Sequence, residues 1–149
     1  MEQTIPQFDA VKYKKNTHEQ WQSAAEAWYR WSPVLNKWLG NATDQMLEMA
    51  NITNGNRVLD IAAGAGEQSI ATAKKVGPSG YVLATDISSN ILDFAKQIAQ
   101  QVGLQNIETK VMDGESLTLE DETFDAVISR VGLIYFPDQQ KALKEMFVC

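Results

Sequence analysis

The stretch "VLDIAAGAGEQS", Val58–Ser69, passes from an apolar run into closely spaced small residues and then into a helix-forming segment. Strand, small-residue turn and helix in that order make a loop whose backbone a ligand can approach closely. Nicotinamide dinucleotides, nucleoside triphosphates and S-adenosylmethionine are all held at such turns. The stretch alone therefore indicates a layout and leaves the ligand open.

Downstream the same alternation repeats. "RVLDIA" reads as a buried strand, followed by a helix from about Glu67 to Val76, a "GPSG" turn and a second strand, "YVLATD". Ser88 or Ser89 caps a long helix ending near Gly103, with Ile91, Leu92, Ala95, Ile98, Ala99 and Val102 as its inner stripe. "NIETKVMD" is a third strand and "FDAVISR" a fourth, and Pro137 opens a last helix through Met146. Buried strands alternating with helices predict an α/β fold, a Rossmann-like doubly wound parallel sheet with right-handed crossovers, here about four strands of it. Ligands of such sheets sit beyond the carboxyl ends of the strands, where strand order reverses.

Upstream the pattern is helical. In "THEQWQSAAEAWYRWSP", Trp21, Ala24, Ala25, Trp28 and Trp31 recur at three- and four-residue steps and are expected on one face. Thr17 with Gln20 predicts a capping box, Pro33 a break, and Leu35, Trp38 and Leu39 a continued apolar face. A second helix is expected from about Thr43 to Asn51. The expected organisation is an N-terminal helical region over residues 1–51, a lid or cap on the same domain, and a ligand-binding core over residues 52–149. The Trp21, Trp28 and Trp31 stripe packs on the sheet, covers an apolar pocket or meets a membrane surface, the last disfavoured by Glu19 and Glu26 on the polar face.

The chain of 149 residues suits one compact domain, with 44% hydrophobic and 21% charged residues. A formal charge of −6 and a pI near 4.7 argue against nucleic acid as a partner. Lys12, Lys14 and Lys15, the one basic cluster, read as solvated surface. No apolar run approaches the roughly 20 residues of a membrane span, and "MEQTIPQFDA" has no signal-peptide pattern. The expectation is a cytoplasmic protein without stable membrane insertion. With one cysteine, Cys149, and one histidine, His18, neither an internal disulfide nor a Cys/His zinc site can be assembled, and no metal is expected.

Three consecutive strands lead to a carboxylate at their exits: Asp60, Asp86 and Asp113. Gly64 and Gly66 begin a G-x-G-x-x-G pattern, and Asp86 lies twenty residues beyond Gly66, as a dinucleotide site would require. However, Ser69 holds the third glycine position and Glu67 follows Gly66, where a carboxylate in the first helical turn repels a pyrophosphate. Asp60 adds a second negative charge, and no Gly-Lys-Ser/Thr follows for a triphosphate. A cationic ligand without phosphate fits better, and S-adenosylmethionine is one; a nicotinamide enzyme stays as the lesser alternative.

With "VLDIAAGAGEQS", "VLATDIS", "VMDGESL" and "FDAVISRVGLIYFPD" in this order, the chain resembles the class I S-adenosylmethionine-dependent methyltransferases. The resemblance is nearest to the small-molecule group of ubiquinone/menaquinone-type C-methyltransferases and covers roughly Asn56 to Met146. It implies S-adenosyl-L-methionine as cofactor and a small-molecule methyl acceptor. By resemblance Asp60, Gly64 and Gly66 form the loop at the cofactor's methionine end, Asp86 binds the ribose diol and Ile87 packs on the adenine. Asp113 accepts from the adenine amino group, with the backbone of Met112 and Gly114 at the ring edge, and Ser129 or Arg130 offers backbone near the ammonium or the methyl. Ala62 departs from the family's D-x-G-x-G-x-G and is harmless unless that position needs positive φ.

No catalytic side chain is assigned, because transfer from a positive sulfur needs alignment before it needs a base. His18, Glu115 and Tyr135 are the candidates near the mouth should the acceptor have to lose a proton. The resemblance implies a sheet of seven strands, whereas the chain reaches "KALKEMFVC" soon after strand four. It therefore reads as a truncated chain, or as one that covers an exposed strand-four edge with another subunit. The alternative function is accordingly a truncated or non-catalytic cofactor-binding module that associates with a partner, a second copy among the possibilities, through that edge.

Overall fold

The computed structural model describes residues 7–149. A helix of 40 residues, α1 (Ala10–Met49), leads into β1 (Arg57–Ile61), α2 (Glu67–Val76), β2 (Tyr81–Asp86), α3 (Ser89–Gln101), β3 (Ile107–Val111), β4 (Ala126–Ile128) and α4 (Gln139–Val148). All four strands are parallel and stand in the order β3-β2-β1-β4. The chain builds outward from β1 to β3 and then crosses back to lay β4 on the other side of β1. Strand order therefore reverses between β1 and β4, and the crevice above that point is where a ligand is sought.

β1 lies at the centre because its side chains can be buried on both faces. Val58 joins Val82, Ile128, Ala73 and Val76 on one side, while Leu59 and Ile61 meet Leu83 and Met112 on the other. Each such side chain taken fully out of water contributes about 1.5–3 kcal/mol. The outer strands are wetter: β3 alternates half-buried with exposed residues, Val111 is exposed, and among the described residues β4 pairs with β1 alone. Ser88 caps α3, accepting from the Ile91 N–H at 3.3 Å. The inner stripe of α3 holds at Ile91, Leu92, Ala95 and Ala99, whereas Ile98 is half-buried and Val102 exposed.

The N-terminal region departs from expectation. α1 is one helix, about 60 Å long at 1.5 Å per residue, with no break at Pro33 and no separate helix from Thr43. Thr17 lies inside it, and the N-cap is Asp9, whose side chain accepts from the Lys12 N–H at 3.0 Å. Proline removes a helical donor and crowds the preceding turn, at a cost of about 3 kcal/mol. Packing against the body on both sides of that position keeps the helix continuous. Before Pro33, the Gln22 side chain accepts from the Asn90 N–H at 3.0 Å, and Tyr29 stacks on Phe94 at 4.6 Å. After it, Thr43 and Leu47 are buried against the core. Trp31 is 59% exposed and does not belong to the inward stripe.

Pro33 is itself exposed, so replacing it changes the helix without opening a cavity. Pro33→Ala should raise the urea unfolding midpoint, by about 2 kcal/mol in stability, less the entropy that proline removes from the unfolded chain. An unchanged midpoint would mean that α1 carries no strain there.

Candidate functional site

A cavity of about 360 Å³ opens above the carboxyl ends of the strands. Its floor is the loop after β1, Ala62–Ala65. Its sides are Asp86 and Ile87 after β2, Met112–Gly114 after β3 and Arg130–Gly132 after β4. Its roof is α1, through Lys14, Thr17, Trp21, Trp28, Leu35, Trp38 and Leu39. Lys14, Trp21, Trp28 and Leu35 are spaced seven residues apart and so share a helical face.

The floor is shaped by left-handed backbone. Gly64 and Gly66 have φ of 60° and 88°, and Ala62 has φ of 56°, so the departure from glycine falls where glycine would be easiest. Across the switch point Val131, a β-branched residue, sits at φ 66°. A Cβ on Gly132 would come within 2.4 Å of the Ala62 Cβ. The loops after β1 and β4 thus meet face to face, and both hold strained backbone at the contact. Gly66 faces α3 instead of the cavity: a Cβ there would lie 2.8 Å from the Ala95 Cβ.

Beneath the floor Asp60 is fully buried. It accepts from the Ser69 hydroxyl and, at 3.3 Å, from Gln68 Nε2. Burial pushes its carboxyl up to about 7, against the lowering pull of the Ser69 and Gln68 hydrogen bonds and the Arg130 charge. Gln68 Nε2 also donates to the Ala63 carbonyl at 3.2 Å. Gln68 Oε1 is buried with no partner, on a side chain that lines the cavity.

Asp86 has each carboxylate oxygen fixed by backbone, Oδ2 accepting from the Gly64 N–H and Oδ1 from the Ser88 N–H, both at 3.0 Å. Burial raises its pKa, and those N–H groups oppose the rise. Asp113 Oδ1 accepts from the Glu115 N–H at 2.9 Å. Its Oδ2 accepts from Lys14 Nζ at 2.6 Å, and Lys14 also donates to Glu115 Oε2 at 2.8 Å. Burial works against the lysine's charge, but the two carboxylates hold its pKa above the ordinary value. Lys14 is therefore an ion-paired wall of the site and not the solvated residue its cluster suggested.

At the other end Glu67 is buried and bridges three elements. Its Oε1 accepts from the Ser32 hydroxyl at 2.6 Å, and its Oε2 meets Arg130 Nη2 at 3.3 Å. Arg130 Nη1 donates to Thr43 Oγ1 at 2.9 Å. Ala62, Gly64, Asp86, Ile87, Met112, Asp113, Gly114 and Arg130 are brought together on the cavity wall. Asp60 and Gly66 lie behind that wall and Ser129 off it, with Ser129 Oγ buried and unpartnered. Of the candidate bases, Tyr135 lines the cavity and packs edge-on against Trp21 at 5.1 Å. Glu115 is held by Lys14 and by the Asp138 N–H, and His18 faces a neighbouring groove. Lys14, Gln68 and Gly132 were missed from the sequence; the heptad phase of Lys14 with Trp21 and Trp28 was the available signal.

The donors and acceptors discriminate among ligands. At the first turn of α2 the cation on the wall, Arg130, is ion-paired with Glu67, so no unpaired positive charge is left there to hold a phosphate. The unpartnered Gln68 Oε1 calls for a donor, and Ile87, Ile91 and Met112 offer an apolar wall for a flat ring. These residues fit an adenosyl group carrying a cationic amino-acid end. Among the described residues no cluster of His, Cys, Asp or Glu could hold a metal ion, and no helix is long and apolar enough to cross a membrane.

The model of the ubiE/COQ5 methyltransferase family matches residues 35–149, and the chain belongs to that family. It is 34% identical over 102 residues to a demethylmenaquinone methyltransferase of Bacillus cytotoxicus, covering 68% of this chain and 43% of that protein. It is 33% identical over 102 residues to the ubiquinone/menaquinone biosynthesis C-methyltransferase UbiE of Pasteurella multocida, covering 68% of this chain and 38% of that one. The chain thus spans less than half the length of these curated relatives. Among solved structures, CrArsM, an arsenic(III) S-adenosylmethionine methyltransferase from Chlamydomonas reinhardtii, aligns with a TM-score of 0.61 at 31% identity, over 65% of this chain and 36% of that one. The fold is accordingly the Rossmann-like fold of S-adenosylmethionine methyltransferases.

Two measurements probe the floor. Between pH 3.8, where an ordinary Asp titrates, and about 7, the folded protein binds more protons at Asp60 than the unfolded chain does. Stability should therefore fall as pH rises through that window and level off above it, with Asp60→Asn flattening the slope to the share left by Asp86. Urea unfolding at about pH 5 and about pH 8 reads this, and an equal slope in both proteins would contradict it. Secondly, Ala62→Gly should stabilise by about 0.5–1 kcal/mol while Gly66→Ala destabilises by about 2–3 kcal/mol. Equal effects would show that backbone hand does not shape the loop.

Proposed function

We propose that this chain binds S-adenosyl-L-methionine in the cavity at the β1/β4 switch point and transfers its methyl to a small apolar organic acceptor. The observation that carries the reading is the Asp86 carboxylate, oriented by two backbone N–H groups at 3.0 Å and turned to a cavity whose cation at the α2 N-terminus, Arg130, is already paired with Glu67. A carboxylate so fixed still has lone pairs for two adjacent hydroxyls, as a ribose diol presents. Ile87 and Met112 then flank the adenine, Asp113 and the Gly114 backbone meet its edge, and Gln68 Oε1 with the Ala62–Gly64 carbonyls takes the ammonium.

The bound cofactor supplies a methyl group on positively charged sulfur, open to in-line displacement. The protein's part is alignment and exclusion of water, which can supply about 7–11 kcal/mol of barrier lowering. Trp21, Trp28, Leu35 and Leu39 of α1 form the apolar surface over the cavity, suited to a flat ring such as the quinone-type acceptor named for the relatives. Arg130, held by Thr43 and Glu67, fixes the far wall. A cytoplasmic location is consistent with this chemistry.

A second reading rests on β4, which pairs with β1 alone among the described residues. Its free side supports association with a further strand, of this protein or of another copy, and a module that binds cofactor without turnover. Sedimentation as a monomer at all concentrations, together with methyl transfer, would remove that reading.

Asp86→Ala should weaken S-adenosylhomocysteine binding by about 1–3 kcal/mol in calorimetric titration. Unchanged affinity would remove Asp86 from the site, and no binding by the unsubstituted chain would remove the cofactor reading.

A further inference from the structure

Lys14 stands on the roof helix between two hollows. On its inner side is the cavity described above; on its outer side a second groove separates Ala10, Val11 and His18 from Ile87 and Pro137. The first turns of α1 are thus set off from the body there. Val11 is 82% exposed, and Lys12, Lys15 and Asn16 also face solvent. Among the described residues, Lys14 makes the only side-chain hydrogen bonds from Ala10–His18 to any other element. Further along, α1 is secured independently by Gln22, by Tyr29 on Phe94, by Ser32 on Glu67 and by Thr43 on Arg130.

The partners of Lys14 are well chosen for a tie. Glu115 is anchored from behind, its Oε1 accepting from the Asp138 N–H at 3.0 Å, and its side chain is 6% exposed. Asp113 is braced by the Glu115 N–H at 2.9 Å. Lys14 and Asp113 are each 30% exposed, so water and salt reach the contact. Lys14 lies ahead of residues 35–149, the part matched by the family model.

The geometry points to Lys14 as a positioning residue: its ion pairs to Asp113 and Glu115 latch the first turns of α1 over the adenine end of the cavity and set the rate at which cofactor leaves. The inference rests on the cofactor reading above. Breaking the latch frees only the outer turns of α1, because the later attachments are separate from it. Release is therefore affected more than folding. A contact open to water is also weakened by salt.

The test is stopped-flow tryptophan fluorescence of S-adenosylhomocysteine release, since Trp21 and Trp28 line the cavity. It is run on the chain and on Lys14→Met, Lys14→Arg and Glu115→Gln at about 50 and about 500 mM NaCl. Lys14→Met should release about tenfold faster, and Lys14→Arg within about twofold of the parent. Glu115→Gln, which keeps an acceptor for the Asp138 N–H but loses the charge, should fall between them. High salt should speed release from the parent and leave Lys14→Met unchanged. Release from Lys14→Met at the parent rate, or Lys14→Arg as fast as Lys14→Met, overturns the latch while leaving cofactor binding in place. Absence of binding by the unsubstituted chain overturns the cofactor reading, and the latch with it.

Discussion

Asp60 is a carboxylate buried at the centre of the sheet with no cation in contact among the described residues, and the shape of the site depends on how its oxygens are satisfied. The Ser69 hydroxyl and Gln68 Nε2 reach it from the first turns of α2, while its backbone carbonyl accepts from Thr85 Oγ1 at 3.1 Å. β1, β2 and α2 are thereby joined at one residue. The loop between Asp60 and Gln68 has little choice of path: it must rise from the strand, reverse and enter the helix over seven residues, Ile61–Glu67, and it does so through left-handed backbone at Ala62, Gly64 and Gly66. Groups such as Asp60 and its hydroxyl partner are costly to bury singly and effective together.

The strands and the two helices between them were legible in the sequence because their signals are local. Val58–Ile61, apolar but for Asp60, and Val82–Ala84 are short runs bounded by turn residues, and Ser88 is a serine before a periodic stripe. The N-terminal helix was harder for a physical reason. Pro33 is a strong local signal for a break, but whether a proline ends a helix depends on what packs either side of it. Those contacts lie far off in sequence: before the proline, Tyr29 meets Phe94 and Ser32 meets Glu67, and after it Thr43 meets Arg130. Val102 and Trp31 failed for a related reason: periodicity gives a face, and only the neighbouring elements decide where that face stops being covered.

The carboxylates at the strand exits were visible as residue types at corresponding positions. Their partners were not. Nothing local to Lys14 distinguishes it from Lys12 and Lys15, which are solvated; only the phase it shares with Trp21 and Trp28 puts it on the inward face. Glu67 shows the complementary case. The sequence marks it as hostile to phosphate, and in the fold that charge is met by Arg130 and the Ser32 hydroxyl, so it serves to join the roof to the far wall.

The continuity of α1 has a mechanical consequence. A roof made of two helices with a hinge at Pro33 could open over one end of the cavity while staying shut over the other. A single stiff rod cannot pivot at its middle without disturbing both ends, and here the rod is fastened at its middle by Gln22, Tyr29 and Ser32. Free travel is left only to the stretch ahead of those fastenings. The two ends of the chamber are therefore roofed differently: a short outer arm over the end lined by Asp113 and Ile87, and a fixed beam over the end lined by Leu35, Leu39 and Arg130.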